Sequence, residues 1–118
     1  MIQQDRAILR DLAKRQRELA HSPHNLAIVA DWRRHAARIP GRPMVHIEID
    51  NFQEEVIEPR LRCSGVPARR IEHRLYHAFA NQELFGDDKP IPPFFAVELQ
   101  TFFWHDGAGG LSAAHNRV

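Results

Sequence analysis

His73 and His77 lie four residues apart, a spacing that on a helix stacks two imidazoles on one face, where they can share a metal ion. The zinc-protease pattern needs Glu directly after the first His. Here Arg74 follows and Glu72 precedes, so a general base would sit on another face. A third ligand would have to come from Glu72 or Asp88; without it, the simpler reading is a pair of surface or half-buried histidines. Cys63 ends the basic run RLRC, which would favour a thiolate, but a nucleophile also needs a positioned base, and a lone cysteine is more often a small buried hydrophobe. Carboxylates gather at Glu54, Glu55 and Glu58 and again at Asp87 and Asp88. A helix face explains the first group and turn chemistry the second, since Asp side chains in turns bond to nearby backbone. GAGG at 107–110 lacks both the spacing and the strand-to-helix context of a phosphate loop.

The elements that must position these residues are mostly helical. DRAILRDLAKRQRELA, 5–20, repeats Ile8, Leu9, Leu12 and Leu19 at roughly helical spacing among strong helix formers. Ser22 and Pro23 then supply an N-cap and a first-turn proline for a second helix through Ala37, and the two make a helical hairpin. IPGRP, 39–43, stops it. In MVHIEID, Val45, Ile47 and Ile49 alternate with His46 and Glu48, the period of a half-buried strand. A short helical turn should occupy 51–58, ending before Pro59. A third long helix runs from about Ala68 to Leu84, with Ile71, Leu75, Ala78 and Phe79 inward and Arg69, Arg70, Glu72, Arg74 and Glu83 on the exposed face. Three prolines then extend the chain, and 96–104 reads as a second strand. The expected class is α+β and mostly helical, with residues 1–104 as one unit and 105–118 as a flexible Gly-rich tail.

Five aromatic side chains, Phe94, Phe95, Phe102, Phe103 and Trp104, fall within eleven residues. That is more apolar area than so small a unit readily covers, so this segment is the expected interaction surface. Its occupant would be a second copy of the chain or the remainder of a longer one. Sixteen Lys and Arg against fifteen Asp and Glu leave a net charge of +1, so no global field draws the protein to nucleic acid or membrane. No apolar run is long enough for a membrane span or placed as a signal peptide, and one cysteine cannot form an internal disulfide, which together favour a cytoplasmic location. No cofactor is implied.

The order of these segments resembles the N-terminal region of uroporphyrinogen decarboxylase-like and corrinoid-linked methyltransferase-like proteins. The likeness rests on ILRDLAKRQRELA, the helix start SPHN, the Trp-bearing ADWRRH, the strand-like RPMVHIEI, and RLRCSGVPARRIEHRLYHAFANQ followed by FGDDKPIPPFFAVE. It spans roughly Ile8 to Phe103. It implies that the chain is the N-terminal part of a larger (β/α)8 barrel protein, a lyase or methyltransferase, whose active site lies at strands beyond this segment. The chain itself would then be no enzyme, and no catalytic residue of those families carries over onto it. The stretch after Trp104 departs from a barrel's continuation and reads as truncation or a disrupted frame. Alternatives are a small self-associating helical protein and a small metal-binding protein using His73 and His77.

Overall fold

A computed structural model describes residues 2–95 and, beyond them, the backbone of 100–105 and 111–117. Helix α1, Gln3–Ala20, buries Asp5, Ile8, Leu12, Gln16 and Ala20, a stripe at three- and four-residue steps that mixes polar with apolar groups. Helix α2, Pro23–Ala36, starts as the sequence implies: the Ser22 hydroxyl accepts the Asn25 N–H at 3.2 Å and Pro23 fills the first turn. Its last carbonyls are closed by Arg38, at φ 57°, and Ile39, whose N–H reaches Arg34 O at 3.0 Å. A one-turn helix α3, Gln53–Val56, lies between two 3-10 turns, Asp50–Phe52 and Glu58–Arg60. Helix α4, Val66–Leu84, begins at Gly65 and ends at Gly86, which takes up φ 64°.

Helices α1 and α4 form the centre of the packing and run in the same direction. Asp5, near the start of α1, bonds to the backbone at the start of α4, and Arg15 pairs with Glu83 near its end at 2.8 Å. Between these ties Ile8 and Leu12 meet Leu75, Tyr76 and Phe79, and the cluster is completed by Ile49, Ile57, Cys63 and Ile91 from irregular segments. Phe79 and Ile57 are wholly buried. Burying such side chains contributes roughly 1.5–3 kcal/mol each, so these loops belong to the core as much as the helices do.

The chain is mostly helical, but the α+β expectation is corrected. The helical body of residues 2–95 contains no strand. Among the described residues the strand read at 44–49 pairs with no other strand, because its backbone partners are mostly side chains: Val45 N–H donates to the Asp88 carboxylate at 2.7 Å, Ile47 N–H to Asp87 at 2.8 Å, and Asn81 donates to Ile47 O, with one backbone bond, Asp88 N–H to Val45 O at 2.7 Å. An alternating pattern marks an extended chain with one face inward, and that requirement is met here without a ladder. Nor do the described residues show the strand-then-helix alternation of the start of a (β/α)8 barrel. Past the helical body the backbone forms a two-stranded antiparallel ribbon, β1 Gln100–His105 with β2 Leu111–Arg117, Trp104 opposite Ala113. Among the described residues it joins no further strand. Residues 111–117 fall within the stretch read as a Gly-rich tail; 96–99, 106–110 and 118 lie outside the described residues.

Candidate functional site

Polar side chains that bond within the fold do two kinds of work in this molecule, and separating them locates the site. The first kind holds irregular backbone. Asp5 accepts N–H groups from Ser64 at 2.9 Å and Gly65 at 3.0 Å, which hold its carboxyl below the usual range. Gly65 suits this close approach, since a Cβ there would stand 3.3 Å from the Asp5 carboxylate. Glu72, read from sequence as exposed, is fully buried and accepts from Arg62 N–H at 2.7 Å and Cys63 N–H at 3.0 Å. Asn25 exchanges bonds with both backbone groups of Ile91, and Gln82 adds a bond to Lys89 O. Asp87 also accepts from Lys89 N–H in the turn, the role its sequence position implies. Asp88 pairs with Arg42 at 2.8 Å, and this partner, with the Val45 N–H, keeps its carboxyl below the usual range. Both oxygens of each of these four carboxylates are occupied by the fold.

The second kind lines a groove of about 580 Å³ between α4 and the segments 50–53 and 89–95. His77 stands in the middle. Its Nε2 lies 2.9 Å from Asp50 Oδ1, and its Nδ1 lies 3.3 Å from Lys89 Nζ, which also donates to His77 O at 2.9 Å. Burial lowers the Lys89 ammonium below its ordinary value, opposed by the charges of Asp87, Asp50 and Glu48. The hydrogen bond from His77 holds Asp50 below the usual carboxylate range. Arg74 lies over the Phe95 ring at 5.5 Å and, with Phe94 and Pro92, forms the outer wall. Sequence reasoning singled out His77 and the aromatics but missed Asp50 and Lys89, which are 27 and 12 residues from His77. Only the fold of the loops brings them together.

His73 and His77 share the groove, as their spacing implies, yet their partners diverge: His73 faces Glu58 at 3.8 Å while His77 is held by Asp50. The acids that would complete a metal site point elsewhere, Glu72 to the backbone at 62–63 and Asp88 to Arg42. Among the described residues no three His, Cys, Asp or Glu converge as a metal site would require. Cys63 is buried in the hydrophobic cluster, and burial first, then its bond to Glu72, pushes the thiol up to about 11; the opposing charge of Arg62 is the weakest influence. At neutral pH it is a thiol. Of the expected interaction surface, Phe94 and Phe95 are exposed, at 63% and 41%. Phe102, Phe103 and Trp104 follow one another along β1, and their side chains lie outside the described residues.

The fold and groove define a small helical protein whose loops are secured by buried carboxylates and amides. No protein-family model, no curated protein and no solved structure matches the chain. Among the described residues no helix is long and apolar enough to cross a membrane.

Proposed function

We propose that the chain is a helical docking unit without turnover chemistry of its own, of the kind that opens uroporphyrinogen decarboxylase-like and corrinoid-linked methyltransferase-like proteins, and that its occupant is the catalytic portion of such a protein. The observation that carries this reading is the use of the buried acids. Asp5, Glu72, Asp87 and Asp88 are the groups best placed by burial to act as general acids or bases, and each is bonded to loop backbone of its own chain. The segments held in this way, RLRCSG and GDDKPIP, are among those on which the resemblance rests. They lead to Phe94 and Phe95, which are exposed, and three further aromatics follow in sequence along β1. Exposed aromatics on a rigid support suit a protein partner that desolvates them.

The test is co-expression with a uroporphyrinogen decarboxylase-like protein from which the corresponding leading helices have been deleted. The expected result is co-purification at one to one, weakened by the pair Phe94→Ser and Phe95→Ser at unchanged helical content. Failure to associate while the chain remains folded overturns the reading. A stable homodimer that buries the same aromatics, detected by light scattering across a concentration series, would favour self-association in its place.

A further inference from the structure

Asp50, His77 and Lys89 form a continuous hydrogen-bonded line across the wall of the groove: carboxylate to Nε2 at 2.9 Å, Nδ1 to amine at 3.3 Å. In that order the carboxylate sets the imidazole tautomer, with the proton on Nε2 and the lone pair on Nδ1 facing the amine. A base oriented by an acid and pointed at a nucleophile is the arrangement that activates serine and cysteine in hydrolases. Here the nucleophile is an amine. We infer that this line makes Lys89 a site of reversible imine formation with a small carbonyl compound bearing a carboxylate, such as a 2-oxo acid.

The surroundings supply what the chemistry needs. The Lys89 side chain is half-buried, and an ammonium drawn out of water gives up its proton more readily. The amine donates to His77 O at 2.9 Å, which fixes it against α4. The carboxylate selectivity comes from Arg74, which lines the same groove, is exposed, and has no carboxylate partner among the described residues. The charged and titratable groups facing the amine or lining the groove are His77, Asp50, Asp87, Glu48, His73 and Arg74. The three acids favour the ammonium and limit how far it is depressed, which makes His77 the local acceptor for its proton.

The step balances without an added oxidant or reductant. His77 Nδ1 takes a proton from the ammonium, and the freed lone pair attacks the carbonyl carbon. The C–N bond forms as the carbonyl π electrons move to oxygen, which is protonated to give a carbinolamine. Loss of that oxygen as water leaves the C=N bond, and water reverses the sequence.

The chain has only two lysines, Lys89 and the exposed Lys14 of α1, so the molecule carries its own reference amine. Intact protein would be incubated at pH 7 with glyoxylate and cyanoborohydride, which reduces any imine to a stable carboxymethyl amine, and the two lysines would be quantified by peptide mass spectrometry. Lys89 should be modified several-fold faster than Lys14, because burial lowers its ammonium and His77 stands beside it to take the proton. His77→Gln should slow trapping at Lys89 toward the rate of Lys14 in protein that stays folded by circular dichroism, and Asp50→Asn should slow it less, since that change also removes a charge that favours the ammonium. Arg74→Gln should slow trapping of glyoxylate but leave that of acetaldehyde unchanged. Equal or slower reaction at Lys89 than at Lys14 in the unaltered protein overturns the inference, as does a rate unaffected by loss of His77. An effect of Arg74→Gln on both aldehydes alike would remove the carboxylate selectivity.

Discussion

Arg38 holds a left-handed backbone, φ 57°, directly after α2, and no feature of its side chain requires an arginine there. The position exists to turn the chain after its last helical carbonyls, with Arg38 N–H on His35 O and Ile39 N–H on Arg34 O, both at 3.0 Å. For an L side chain that conformation costs roughly 1–2 kcal/mol that glycine avoids, offset in part by the greater freedom of glycine in the unfolded chain. Arg38→Gly should therefore stabilise the protein by about 0.5–1 kcal/mol. Urea unfolding followed by circular dichroism would show a higher midpoint at unchanged slope, and a lower midpoint would mean the arginine has a partner that compensates its strain. Gly86, at φ 64° after α4, is the same device with the residue that suits it.

At the scale of elements, three helices were legible because their signals are local. The periodic apolar stripe of α1, the Ser22–Pro23 start of α2 and the long run of α4 need no knowledge of what they pack against. The segment 44–49 was legible as extended but not as a loop, since whether an alternating run joins a ladder depends on what lies beside it. What lies beside it is Asn81, Asp87 and Asp88. Hydropathy assigns such residues to the surface, so it places Glu72, wholly buried, on the outside, and it carries no signal for the groove's Asp50 and Lys89. Carboxylates used as backbone acceptors also make the fold acid-sensitive. Asp5, Asp50 and Asp88 all sit below the ordinary carboxyl value of 3.8 when folded. A depressed folded value gives stability that is present above the unfolded pKa and is lost as pH falls through the folded one, so the loss begins near pH 4 and continues below it. Asp88→Asn, which keeps the shape but weakens the bond to Arg42, should cost about 1–2 kcal/mol at pH 7 and flatten that acid limb. Thermal melts from pH 7 to pH 2.5 would check both, and an unchanged acid limb in the variant would show that Asp88 is not among the groups responsible.

Considered whole, the side-chain packing of the described residues lies before residue 95, and a division of the molecule there is testable. The hydrophobic cluster draws on α1, α4, Ile49, Ile57, Cys63 and Ile91, all before that point, and so do the polar ties that hold its loops. Gln16 fastens the last of the segment, donating to Pro92 O and Phe94 O at 3.0 Å each. The strands Gln100–His105 and Leu111–Arg117 satisfy each other's ladder and add no strand to the helical body. A chain ending at Phe95 should then keep its helical circular dichroism and a single unfolding transition, with the melting temperature within about 4 °C of the longer chain, the shift that roughly 1 kcal/mol produces at this size. The same truncation should abolish docking of the catalytic partner if Phe102, Phe103 and Trp104 carry that contact, and spare it if Phe94 and Phe95 suffice. A fall in melting temperature beyond 10 °C would show instead that the aromatic ribbon seals the core from outside, and the division at 95 would be wrong.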